Sequence, residues 1–307
     1  MTADSKSSPL FSFGVPALFV WLWSTGFIGA KYGLPYAEPF TLLLIRMLLT
    51  LVLLGVLARL LKARWPGWRG AGHLAVTGLL VHGCYLGGVY YAIQGGMPSG
   101  IISLIVGLQP LVTSAVAIMV LNEKVSVRQW LGLVLGLVGV CLVLLEKFGL
   151  NDAPGGFPAW TLIWAALSLG GISLGTVYQK RRGTAADLVS GTIIQYMAAA
   201  SLFAVGAFAF ETREVEWALP LVLSMAWLVF GVSIGAILLL MWLIRRGAAS
   251  QVASLFYLVP PVTALEAFIL FDERLGLLAM AGGCLSIAGV AMVVMRPPPV
   301  SAQERAR

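Results

Sequence analysis

The segment that begins at Pro110, P-L-V-T-S-A-V-A-I-M-V-L-N-E-K-V-S-V-R-Q-W-L-G-L-V-L-G-L-V-G-V, returns from Pro260 as P-P-V-T-A-L-E-A-F-I-L-F-D-E-R-L-G-L-L-A-M-A-G-G-C-L-S-I-A-G-V. At a constant offset of 150, Pro110 meets Pro260, Val112-Thr113 meets Val262-Thr263, Glu123 meets Glu273, Gly132 meets Gly282 and Gly139-Val140 meets Gly289-Val290. At an offset of 149 the match extends upstream, setting Glu38-Pro39-Phe40-Thr41 and Arg46 against Asp187-Leu188-Val189-Ser190 and Gln195. The chain is a duplication, with a first copy over 1–150 and a second over 151–307. Whatever it folds into must build one unit twice.

Each copy is too apolar for water. The 307 residues are 59% hydrophobic and 11% charged, with a mean hydropathy of +0.93, so a bilayer is the solvent. A span needs about 20 apolar residues, and ten runs fit: 13–30, 39–61, 71–93, 98–121, 127–145, 158–179, 187–210, 218–244, 249–271 and 275–295. They are long, continuous and free of period-two alternation, which argues against a β-barrel. The first run lacks a small-residue cleavage site and is followed by nine more, so it reads as a membrane helix and not a removed signal. Pro297-Pro298-Pro299 ends the last helix. The expected fold class is an all-α membrane protein of ten transmembrane helices in a cell membrane, with a bacterial inner membrane as the default.

The net charge of +7 does not mark a nucleic-acid binder, because the Lys and Arg residues punctuate the apolar runs and do not gather on one face. With the N-terminus in the cytoplasm, inside segments hold fifteen of them, against Lys31, Lys147, Arg213 and Arg274 outside. The positive-inside rule therefore puts both termini in the cytoplasm. Five spans per copy, an odd number, make the second copy enter from the opposite side, so the repeats are inverted. That arrangement is an architecture of secondary transporters, although a channel can share it.

Pro110 and Pro260 fall near mid-span in both copies, where each removes a backbone donor. They mark hinges or a substrate site. Ionisable groups within spans are few: Arg46, His82 and Glu266. Each is costly in hydrocarbon, about 2.5 to 3.5 kcal/mol for a charge at a helix centre, and should face a cavity or a partner. Arg46 and Glu266 can neutralise each other; otherwise Glu266 is a candidate proton-coupling group and Arg46 a carboxylate binder. His82 belongs to the residue type that titrates near neutrality, or it is a hydrogen-bonded structural residue. A polar, uncharged lining comes from Trp21, Ser24 and Thr25, from Tyr85, Tyr90 and Tyr91, and from Ser103 and Gln109. The second copy adds Trp164, Ser168, Ser233, Ser254 and Tyr257. The substrate-binding set is Trp21, Ser24, His82, Tyr85, Gln109, Trp164, Ser254 and Tyr257, and it suits a small zwitterionic or amphipathic solute.

The remaining motifs are structural. Glu123 and Glu273 cap or turn helix ends and favour the positive N-terminus of the next helix. Gly132, Gly136, Gly139, Gly282, Gly283 and Gly289 allow close helix packing, within a monomer or across a dimer. Trp65, Trp68, Trp160 and Trp217 sit at span ends as interfacial anchors. Cys84, Cys141 and Cys284 lie within apolar runs and form no spaced pair, so neither disulfides, metal nor cofactor is indicated.

Leu22-Trp23-Ser24-Thr25-Gly26-Phe27-Ile28-Gly29-Ala30-Lys31 resembles the first-helix signature of the drug/metabolite transporter superfamily, in its ten-helix EamA-type exporters. Pro39 through Arg46 is similar to that family's second-helix pattern. Leu121-Asn122-Glu123-Lys124 with Gly132 and Gly139-Val140 resembles its fourth-to-fifth-helix motif, which recurs at Glu273. The resemblance covers nearly the whole chain. It implies a carrier with a central cavity between the repeats that exports small metabolites, amino acids most often, and the aromatic first and third helices resemble the YddG-like amino-acid exporters. The four-helix multidrug members carry a glutamate in their first helix for proton exchange; 13–30 has no acidic residue, so that coupling site is missing.

Two other substrate outcomes fit the architecture, a drug or another metabolite such as a nucleoside or cation, moved by an exporter or a facilitator. A membrane-embedded lipid-modifying enzyme is the distant alternative. Such enzymes need clustered Asp, a Ser/His pair or H-E-x-x-H, whereas His73 and His82 stand nine apart with no carboxylate between them. A receptor or scaffold would carry long loops or a signalling domain.

Overall fold

The computed structural model describes residues 14–121, 127–148, 156–182, 187–236, 239, 243 and 255–294. Ten helical segments fall where ten spans were expected. They are α1 (Val15–Gly33), α2 (Pro39–Leu60), α3 (Trp68–Gln94), α4 in two halves (Ser99–Val106 and Gln109–Leu121) and α5 (Val127–Phe148). The second copy has α6 (Thr161–Arg182), α7 (Leu188–Phe210), α8 (Leu219–Ala236), α9 (Val259–Phe271) and α10 (Leu277–Val294). Among the described residues the only extended pairing is a single antiparallel bridge between Ala37 and Val215. By length and composition α2, α3, α6, α7 and α8 can each cross a membrane whole. Leu48, Leu49, Val52, Val56 and Leu60 form an exposed apolar stripe on α2, the face such a helix turns to lipid. Trp65, Trp68, Trp160 and Trp217 are exposed at helix ends, as anchors should be.

Spans 4 and 9 are not the continuous runs that hydropathy suggests. The helix of α4 stops at Val106, turns through Gly107 and Leu108, and restarts at Gln109, which makes Pro110 the second residue of a new helix. In the other copy a 3₁₀ turn, Phe256–Leu258, precedes α9, and Pro260 is again its second residue. A proline there loses nothing, because the first amides of a helix have no partner in the preceding turn. The prolines thus stand in the first turn of a helix instead of kinking one from within. The two breaks touch: a Cβ on Gly107 would lie 2.8 Å from Cγ of Pro260.

The copies interlock by exchanging partners. In the first copy α1 packs on α8 and α9, and its counterpart α6 packs on α3 and α4; α2 packs on α7, and α5 on α10. The last contact shows the symmetry residue by residue. Gly132 abuts Gly289, and exchanging each for its repeat mate gives Gly282 against Gly139, also in contact. Ser286 Oγ donates to the Gly136 carbonyl at 3.2 Å, while at the end of α5 Glu146 accepts from the amides of Gly276 (2.9 Å) and Ala279 (2.7 Å) at the start of α10. The helices are therefore antiparallel, and equivalent helices of the two copies run in opposite directions. The glycine faces are consumed inside the monomer, so they are not free for the dimer contact that their spacing also allowed.

A Cβ on Gly139 would stand 2.6 Å from the backbone nitrogen of Ser286, whereas one on Gly55 would meet nothing within 4 Å. Gly139→Ala should cost about 1 to 3 kcal/mol by overpacking, and Gly55→Ala should be neutral or stabilise by up to about 1 kcal/mol through helix propensity. Thermal unfolding of the detergent-solubilised variants checks both; equal midpoints would overturn the seam.

Candidate functional site

Two further irregularities lie at matched depth. Within α3 the segment Leu79–Cys84 is a π-helix, and within α8 Trp227–Ala236 is another. Shifted by 150, the first falls inside the second. A π turn widens the helix and re-aims side chains, which is why such turns gather at functional positions. Each turn here presents one polar group to a helix of the other copy. His82 Nε2 lies 3.2 Å from Gln195 Oε1 on α7, and Ser233 Oγ accepts from Arg46 Nε (3.2 Å) and Nη2 (3.1 Å) on α2. Arg46 and Gln195 are repeat mates. The same contact is made twice, once with an amide and once with a charge.

Arg46 is 4% exposed. Its Nη1 donates to the Tyr90 hydroxyl at 3.1 Å, so all its described partners are neutral. Among the described residues no carboxylate comes within ion-pair distance of it. Tyr196 stands edge-on to the His82 ring at 4.6 Å, and Tyr85 is buried on the same stretch of α3. The Arg46–Glu266 pair allowed from sequence is not formed, because each residue is turned to its own neutral partner. Glu266 Oε1 lies 2.8 Å from Ser24 Oγ on α1, and its Oε2 is buried with no hydrogen-bond partner.

The other expected lining residues do not converge on one place. Trp21 is 45% exposed and packs edge-on to Trp227, 5.3 Å between centroids, beside the bond from Trp227 Nε1 to Thr25. Gln109 Nε2 donates to Thr176 Oγ1 at 3.1 Å, tying the restart of α4 to α6. Trp164 stacks on Tyr91 at 4.4 Å. Ser254 lies outside the described residues, as does the side chain of Tyr257, whose backbone forms part of the 3₁₀ turn. One turn past each proline, the matched hydroxyls of Thr113 and Thr263 are buried without hydrogen-bond partners.

One end of the bundle is laced by carboxylates, of which the sequence singled out only Glu273 as a cap. Glu211, directly after α7, accepts from the Phe40 amide (2.7 Å), Tyr91 Oη (2.7 Å), the Thr41 amide (2.7 Å) and Thr41 Oγ1 (2.8 Å). It caps α2 from another copy. Glu38 reaches the Thr212 and Arg213 amides, at 2.7 and 3.1 Å. Glu273 binds Lys31 and accepts from the Ser99 and Gly100 amides, at 3.2 and 3.3 Å. It does cap a helix, but that helix is α4 and not the next one in the chain; α10 is capped by Glu146. Glu123 lies outside the described residues. The signal for Glu211 was an acidic residue at the edge of an apolar run, which is indistinguishable in sequence from a solvated turn.

The profile of the EamA-like transporter family matches residues 13–145 and 159–295, one match per copy. The chain belongs to that family. It is therefore a multi-pass cell-membrane protein of a transporter family within the drug/metabolite transporter superfamily. Relatives include the uncharacterized transporter YvbV of Bacillus subtilis, 28% identical over 288 residues, which span 90% of this chain and 89% of that protein. Another is a probable amino-acid metabolite efflux pump of Salmonella typhimurium, 27% identical over 288 residues, covering 89% of this chain and 91% of that one. A solved crystal structure shares the fold with a TM-score of 0.63 at 20% identity, over 92% of this chain and 96% of the other. The first-helix signature now has physical roles: Ser24 meets α9, Thr25 and Gly29 meet α8, and Lys31 meets Glu273.

Glu211→Gln should cost about 1 to 3 kcal/mol, because an amide nitrogen facing backbone donors leaves them unsatisfied in a buried position. Glu214→Gln, exposed nearby, should stay within about 0.5 kcal/mol. Unfolding midpoints in detergent decide, and a silent Glu211→Gln would remove Glu211 from the frame.

Proposed function

We propose that the chain is a secondary transporter that exports small metabolites, amino acids foremost, by alternating access between the copies 1–150 and 151–307, with both termini cytoplasmic. The observation that carries the substrate class is Arg46. A guanidinium buried among hydroxyls is unfavourable in a membrane interior, about 2.5 to 3.5 kcal/mol on insertion scales. The fold does not need it, because Gln195 makes the equivalent contact without charge. The charge is then free to serve a visiting anion, and a carboxylate is the group whose geometry a guanidinium matches. The half-helices at Pro110 and Pro260, meeting across Gly107, supply the hinge, and rocking of one copy against the other opens Arg46 to solute. The name of the Salmonella relative points the same way.

The test is uptake into proteoliposomes holding the full chain, with radiolabelled amino acids compared against the amines left by their decarboxylation. Loss of a charge-assisted hydrogen bond is worth about 1.5 to 3 kcal/mol, so Arg46→Gln should raise KM for amino acids by about tenfold or more and leave amines unchanged. Arg46→Lys should recover part of the loss. If the wild type prefers amines, or Arg46→Gln keeps its KM and its selectivity, the carboxylate assignment falls.

A further inference from the structure

Ser24 Oγ lies 2.8 Å from two acceptors at once, the Trp21 carbonyl and Glu266 Oε1. A serine hydroxyl owns one hydrogen and can donate to only one of them. If Glu266 is a carboxylate, one contact goes without a proton, and a buried negative charge rests on at most one hydrogen bond, because Oε2 has no partner. If Glu266 holds a proton at Oε1, it donates to Ser24 Oγ, and Ser24 donates onward to the Trp21 carbonyl. Both short contacts then carry a hydrogen, and the oxygen left alone belongs to a neutral acid, which is far cheaper to bury than a charge.

Among the described residues the surroundings offer no counter-charge. The elements packed against α9 are α1, the first half of α4 and the 3₁₀ turn Phe256–Leu258, which carries Tyr257. On α1 the titratable groups are Lys31 and Tyr32, but Lys31 is held by Glu273 and Tyr32 packs on Phe271 at 4.8 Å, both at the helix end. Ser99–Val106 carries no titratable side chain. On and just past α9 itself stand Asp272, bonded to Arg274, and Glu273. Arg46 is turned away from Glu266, toward Ser233 and Tyr90. The repeat mate of Glu266 is Val116, so the fold itself does not require an acid at this point. It is an acid that the bundle tolerates by keeping it neutral.

We infer that Glu266, with Ser24 as its hydrogen-bond partner, is the proton-binding site that couples solute movement to the proton gradient. The O–H bond at Oε1 breaks when the site opens to one side and the proton passes to water there, leaving a carboxylate; a proton from the other side restores the acid before α1 and α9 close again. The coupling rests on the exporter proposal, whereas the proton itself can be tested without it.

The full chain in proteoliposomes is treated with dicyclohexylcarbodiimide, which adds to protonated carboxyl groups in apolar surroundings, and the peptide bearing Glu266 is mapped by mass spectrometry. An adduct at neutral pH that disappears at alkaline pH is expected. An adduct that forms only in acid would overturn the assignment. In parallel, amino-acid accumulation is measured under an imposed pH gradient of one unit, which for one proton per solute sustains up to about tenfold accumulation. Glu266→Gln should lower that ratio to about one while amino-acid counterflow, which needs no gradient, persists. Accumulation undiminished in Glu266→Gln would also overturn it. Should this variant not fold, the labelling of wild type decides alone. If neither protein moves any amino acid, the substrate proposal fails while the labelling still reports on Glu266.

Discussion

In hydrocarbon, a backbone amide or carbonyl that leaves the helical ladder has no water to turn to, so every departure must be housed inside protein. The described residues make four such departures, two π turns in α3 and α8 and two breaks, in α4 and before α9. All come in pairs at equivalent positions of the copies. They are affordable only because the copies are interleaved: the π turn of each copy faces a helix of the other, and Gly107 at one break packs on Pro260 at the other. Irregular backbone has become the interior of the bundle. Polar side chains follow it there.

Symmetry supplies the frame, and its violations supply the chemistry. The antiparallel seam of α5 and α10, with glycine against glycine on both halves, is the same contact read in either direction. Such a seam fixes the relation of the copies without committing any side chain to function. Against it, the charges are unique. Arg46 has Gln195 as its mate and Glu266 has Val116. One copy brings a cation and the other an acid, each where its repeat mate is uncharged.

The laced end shows a different use of charge. Glu38, Glu146, Glu211 and Glu273 each spend their oxygens on the first amides or nearby turns of other segments, where the helix dipole favours a negative group. Glu146, Glu211 and Glu273 use both oxygens and Glu38 uses its Oε2, and all four act as clasps between loops and helix starts. Glu266 differs in having a buried oxygen without a partner, the feature on which its proposed role in proton traffic rests.

Duplication, inversion, span number and the near-central prolines were all legible in the chain, because they depend on local rules: a constant offset, hydrophobic length and the missing donor of proline. The intramembrane residues Arg46, His82 and Glu266 were legible too, since a polar group in an apolar run is conspicuous wherever it ends up. What those residues touch was not. Whether Arg46 meets Glu266 or Ser233, whether glycines face a second subunit or α10, and which helix Glu273 caps all turn on crossing geometry between segments more than a hundred residues apart. Periodicity within one helix carries no information about that. The π turns escaped for a related reason: the polar side chains they carry meet Gln195 and Arg46 across the bundle, in helices that the local sequence does not reveal.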